Sequence, residues 1–293
     1  MKDKYLMLVR RELWEHRTLW LAPLIAAGLV VAAAAFGQFG MGPGELEIDG
    51  SRFNPTLNPG QVAHAGAIAM VTVAGFLTAI SGIVVFTYLL DCLFAERKDR
   101  SILFWKSLPV SDAETVVSKF LVAMVVIPAL VLLLALVLQP LLVGVMYLRF
   151  EGLRPFVGTG LFSGTLAGLG RVGVSGLFAA LWFAPLGSYL MLASVAAKRA
   201  PLLYAALPPF ALFVAEKIIF GRGSNHVGRF IGERVFPWPP RLPQLYGWGP
   251  NGVAAGEGHW WLVFTDAKLW LGLVAAAGMM YIIIRLRRYR DDT

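Results

Sequence analysis

The chain has 293 residues, of which 57% are hydrophobic and 15% charged, and its mean hydropathy is +0.66. A water-soluble domain carries about 25% charged residues, so an ordinary soluble globular fold is excluded. The net charge of +8 does not point to nucleic acid: Lys and Arg lie in short segments between apolar runs, where they set topology and meet anionic lipid headgroups. The single cysteine, Cys92, rules out an intrachain disulfide and is expected to be a free, inert thiol.

In chain order, a basic segment, residues 1–17, leads into an apolar run over 18–39. That run exceeds the roughly 7–15 residues of a signal-peptide core, and Asp3, Glu12 and Glu15 precede it. An uncleaved first span is expected, although Ala33-Ala34-Ala35 resembles a cleavage site. A polar loop over 40–61 separates it from a second span, 65–91. A charged stretch, 92–119, precedes a third span, 120–148, where Pro128 and Pro140 predict tilt or a kink. The fourth span, 172–197, turns through Lys198-Arg199-Ala200-Pro201 into a fifth, 202–220. An external loop over 221–266, broken by Pro237, Pro239, Pro240 and Pro243, leads to the last span, 268–284, and a basic end at Arg285, Arg287, Arg288 and Arg290. Runs of this length are read as helices, because hydrocarbon offers no partner for backbone N–H and C=O groups. The expected fold is one all-α integral membrane domain of six transmembrane helices over 1–293.

Dense basic clusters at the N-terminus, 97–119, 198–199 and 285–290 are assigned to the cytoplasm by the positive-inside bias. Both termini fall in that set, which requires an even number of spans. Trp14 and Trp20 flank the first span and Trp260, Trp261 and Trp270 the last, as interfacial anchors. Small residues recur within spans, as in Gly75 and Ala79 or Gly272 and Ala276, and allow close helix approach.

The stretch from Leu93 to Asp112 is the most informative. Ser111-Asp112-Ala113-Glu114 fits a capping box that starts the helix running through Lys119 into span three. Residues 99–106 can form a short helix carrying Ile102, Leu103, Phe104 and Trp105, stopped by Leu108-Pro109. Such a helix suits docking to a partner or lying on headgroups.

With Glu96-Arg97, the short segment 101–106, Leu108-Pro109-Val110-Ser111 and Lys119, the stretch resembles the cytoplasmic hairpin of type 2 ATP-binding-cassette (ABC) permeases, the membrane subunits of ABC exporters. The resemblance implies a coupling helix, with Glu96, Arg97, Asp99, Arg100, Ser101, Phe104, Trp105 and Lys106 as ATPase-coupling residues. It also implies that residues 5–17 form an amphipathic connecting helix, with Leu6, Val9 and Leu13 toward the membrane and Arg10, Arg11 and Arg17 opposite. A second permease subunit, identical or related, and a pair of cytoplasmic ATPase subunits follow from it, in a bacterial plasma membrane. The chain has no G-x-x-x-x-G-K-[ST] motif, so ATP and magnesium are expected on the separate ATPase and no cofactor on this chain.

Other chemistry finds less support. Gly173-Val174-Ser175-Gly176 matches the G-x-S-G of rhomboid-type intramembrane proteases, but none of His16, His64, His226 and His259 lies within an apolar run to activate the serine. No H-E-x-x-H is present, and Glu257-Gly258-His259 lacks helical ligand spacing, so neither a catalytic nor a metal site is assigned. Glu216 and Lys217 lie near the outer end of span five. Snorkelling accounts for Lys217, and Glu216 is the candidate contact for a cationic substrate. The alternatives to a permease are a polytopic intramembrane enzyme and a non-transporting sensor or assembly component.

Overall fold

The computed structural model describes residues 2–36, 47–48, 51–52, 59–99, 110–149, 162–221, 223–235 and 264–289. Among these residues the regular structure is helical save for two-residue strands, β1 (Glu47–Ile48) and β2 (Ser51–Arg52), which pair antiparallel with Glu47 opposite Arg52. The helices are α1 (Lys2–Glu15), α2 (Thr18–Phe36), α3 (Pro59–Asp91), α4 (Phe94–Lys98), α5 (Asp112–Leu121), α6 (Ile127–Arg149), α7 (Phe162–Ala196), α8 (Pro201–Phe220), α9 (His226–Val235) and α10 (Ala267–Tyr289). Six helical stretches among the described residues are long and apolar enough to cross a bilayer: Thr18–Phe36, Thr72–Lys98, Asp112–Val145, Gly176–Ala196, Pro201–Phe220 and Ala267–Tyr289. The protein is a multi-pass membrane protein.

Local chemistry sets the helix ends. Ser111 Oγ accepts from the Glu114 N–H at 3.2 Å, and the Glu114 carboxylate accepts from the Ser111 N–H at 2.8 Å, which is the expected capping box. Between α5 and α6 the backbone widens into a π-helical turn, Val122–Val126. Pro128 lies just beyond it and cannot donate to the carbonyl four residues earlier. Pro201 opens α8 where its missing N–H costs nothing. Gly221 closes α8 at φ +83°, a conformation that a side chain would strain. The helix of span four begins earlier than expected, at Phe162, and α10 carries the chain through its basic residues as far as Tyr289.

The chain forms two compact units. One comprises Met1–Leu19, Ile83–Ile127 and Leu177–Thr293. Its core includes Leu19, Leu89, Leu93, Val116, Val122, Ile127, Leu190, Met191 and Ile283, with a cluster of Phe178, Trp182 and Leu269. The other comprises Trp20–Gly82 and Pro128–Gly176; Ala74, Leu77, Val131, Ala135 and Leu138 are buried there. On α8, Leu203, Leu207, Phe210, Leu212 and Ile218 are exposed, a surface suited to lipid or another membrane helix.

In the first unit, α9 is fixed at both ends. The Glu216 carboxylate of α8 accepts from the backbone N–H groups of His226 and Val227, at 2.8 Å for Val227. At the other end the Trp182 indole donates to the Glu233 carbonyl at 2.6 Å. The Arg234 guanidinium donates to the Lys268 carbonyl at 2.8 Å and the Trp182 carbonyl at 3.2 Å, lying 4.2 Å from the Trp182 ring centre. Gly272 makes this possible: a Cβ there would stand 2.9 Å from both terminal guanidinium nitrogens and 3.0 Å from Pro185. Gly272→Val is expected to displace Arg234 and destabilise the protein by about 1–3 kcal/mol. Thermal unfolding in detergent micelles, with Gly278→Val as the control in open space, measures it.

Candidate functional site

Among the described residues, the densest arrangement of chemistry lies where α1, α4, α5 and α10 meet. Four charged side chains are removed from water there: Glu12 (1% exposed), Glu96 (7%), Lys119 (1%) and Arg287 (4%). Lys119 Nζ donates to both Glu12 oxygens at 2.8 and 3.0 Å and lies 3.1 Å from Glu96 Oε1. Arg287 donates to Glu96 at 2.7 Å and to Asp112 at 3.1 Å. The Tyr88 hydroxyl donates to Glu12 at 2.9 Å. Arg11 stands 3.7 Å from Glu96, and Lys4 donates to Glu114 at 2.8 and 2.9 Å. Two buried carboxylates thus face two buried cations, so the cluster is neutral at its centre. Neutrality is what permits it, since an unpaired buried charge costs several kcal/mol.

Arg97, the neighbour of Glu96, turns to a different helix. Its guanidinium donates to the carbonyls of Ser194 and Ala197, both at 2.8 Å, at the end of α7. Carbonyls at a helix C-terminus lack helical partners. In return Ser194 Oγ accepts from the backbone N–H groups of Leu93 and Phe94 at 3.2 and 3.0 Å, at the start of α4. The five-residue α4 is too short to stand alone. Reciprocal capping holds it against α7, while Glu96 holds it against α1, α5 and α10.

This geometry places the residues expected from the sequence. Glu96 and Arg97 point inward and bind the chain's own helices. Asp99 follows α4, and its N–H donates to the Ala95 carbonyl at 2.9 Å. Arg100, Ser101, Phe104, Trp105 and Lys106 lie outside the described residues. Lys119, expected to lead into span three, is at the centre of the cluster. Glu216 caps α9 as described above, and Lys217 donates to the Ser224 carbonyl. The helix α1 is present over Lys2–Glu15. Leu8 and Glu12 are buried, whereas Leu6, Met7 and Trp14 are exposed together with Arg10, which stacks 5.7 Å from the Trp14 ring. Arg11 turns inward because Glu15 and Glu96 attract it.

Sequence reasoning does not single out Glu12, Asp112, Tyr88 or Arg287 as members of a site. Their one sequence signal is a polar or charged side chain at the edge of an apolar run. Glu12, Glu15 and His16 bring donor atoms within 4.8 Å of one another. Lys119 and Tyr88 already occupy Glu12, and Arg11 occupies Glu15 at 2.9 Å, so both carboxylates of this trio are already engaged. Neither a protein-family model, a curated protein nor a solved structure matches the chain.

Lys119→Met should leave both Glu12 and Glu96 short of a cation and cost about 3–5 kcal/mol. Adding Glu12→Gln should return part of that loss, giving a coupling of at least about 1 kcal/mol in a double-mutant cycle of unfolding free energies. A pH dependence also follows. Burial, aided by Lys119, holds the His16 imidazole below its ordinary 6.5, with Glu12, Glu15 and Asp91 opposing. A base depressed on folding contributes stability that is complete above 6.5 and is lost as the pH falls toward its folded value. Between about pH 7.5 and 5, a window that brackets the free imidazole, the melting temperature should therefore fall less steeply in His16→Gln than in the parent.

Proposed function

We propose that this chain is the permease subunit of an ABC exporter in a bacterial plasma membrane, with both termini cytoplasmic. A second copy or a related permease completes the path through the bilayer, and separate cytoplasmic ATPase subunits bind ATP and magnesium. The observation that carries this reading is the Glu96–Arg97 junction. It stands just before residues 101–106, the segment that resembles a coupling helix, and its two side chains reach α1, α5, α10 and α7 between them. Force applied to 101–106 would pass through Glu96 to α1, span three and span six, and through Arg97 to span four. Closing of the ATPase dimer would then move several spans together, as alternating access requires. The exposed Leu6, Met7, Arg10 and Trp14 of α1 suit a helix lying at an anionic headgroup layer.

The test is a search of the neighbouring genes for one encoding P-loop and ABC signature motifs, then its expression with this chain, purification and reconstitution. The ATPase should co-purify, and Trp105→Ala should lower coupled ATPase stimulation about tenfold, the effect of losing one aromatic anchor, with unchanged thermal unfolding. Undiminished coupling in Trp105→Ala, or ATP hydrolysis by the isolated chain, contradicts the reading.

A further inference from the structure

Several hydroxyl side chains of the described spans find partners in their own helix. Thr78 donates to the Ala74 carbonyl and Ser81 to the Leu77 carbonyl, both at 2.8 Å; Ser188 donates to the Pro185 carbonyl at 2.9 Å. Gln139 on α6 departs from this pattern. It is 5% exposed, and neither its Oε1 nor its Nε2 has a hydrogen-bond partner among the described residues. Its surroundings along the helix are apolar: Val131 and Ala135 are buried on the same face, and the apolar run continues beyond it to Leu148. The next residue, Pro140, cannot donate to the Leu136 carbonyl four residues earlier. A leucine would fill similar space without burying an amide. An amide with two donors and an acceptor, kept at such a position, calls for a hydrogen-bonding ligand.

We infer that Gln139 is a polar binding position inside the membrane-spanning part of the chain, reached by water and contacted there by a hydrogen-bonding group of the transported solute. The water-access half rests on the buried amide that finds no partner among the described residues; the solute half rests on the permease reading. Side chains that break local satisfaction without structural gain are where function is expected to oppose stability.

Cysteine accessibility tests the first half. One change, Cys92→Ala, gives a cysteine-free chain, into which Gln139→Cys, Ala135→Cys and Val137→Cys are placed singly. Ala135 lies one turn earlier on the same buried face, and Val137 (57% exposed) lies at nearly the same depth on the outer face. A membrane-impermeant methanethiosulfonate applied to protein in lipid vesicles should modify the cysteine at 139 at least about tenfold faster than either control, since thiol reactivity follows access to water. Failure to react at 139 overturns the inference, as does equal reaction at 137, which would report mere proximity to the membrane surface. The second half is read from Gln139→Leu. Its melting temperature should not fall, because the apolar neighbours along α6 accept a leucine of similar volume, while transport falls about tenfold, the loss of one hydrogen bond to the solute. Transport at the parent rate overturns the solute contact. If the parent with its ATPase moves no solute, the permease reading fails instead, and the cysteine result decides the hydrated position by itself.

Discussion

Charge removed from water must be matched by charge of opposite sign, and in this protein that demand fixes the arrangement of four helices. Glu12, Glu96, Lys119 and Arg287 come from α1, α4, α5 and α10, and each depends on the others to be buried. Packing of Val116 and Ile283 supplies cohesion, but apolar contact has no directional preference. The ion cluster supplies the register. It accounts for an otherwise unpromising feature, a five-residue helix between two spans, which would not persist without the bonds made by Glu96 and Arg97.

The same principle extends to the backbone within the first unit. Where a helix ends or a proline interrupts it, hydrocarbon supplies no substitute partner. Pro209 cannot donate to the Ala205 carbonyl, and the Tyr189 hydroxyl donates to that oxygen at 2.7 Å. Glu216 serves the start of α9 and Trp182 its end. Ser194 and Arg97 exchange caps between α4 and α7. These side chains are polar or amphipathic residues set in or beside apolar segments, and each is placed where a backbone group would otherwise be left alone. Against this pairing, the amide of Gln139, which has no partner among the described residues, is an exception.

The spans are legible in the sequence because hydrocarbon imposes a length and an apolarity that composition reports directly. The Ser111–Glu114 capping box is legible because its partners are three residues apart. The ion cluster is not. Tyr88 and Glu12 are separated by 76 positions, and Arg287 and Glu96 by 191; no local pattern encodes such pairings. Glu96 and Arg97 do stand out, through resemblance, but charge on a short segment between spans reads as an exposed docking surface. Only the fold shows that both side chains turn inward, because the cations of α5 and α10 and the carbonyls at the end of α7 lie on that side. For Glu216 the sequence shows a carboxylate near a span end, and only the fold shows that it accepts from the start of a helix ten residues on.

The cluster also bears on how the chain is made. Glu12, Glu96 and Lys119 leave the ribosome well before Arg287 does. Until it arrives, two carboxylates share one ammonium, and the junction of α1, α4 and α5 carries surplus negative charge. Arrival of the sixth span neutralises it. Closure of this junction therefore waits on synthesis of α10, and a chain that stops short of α10 would retain an uncompensated acidic site.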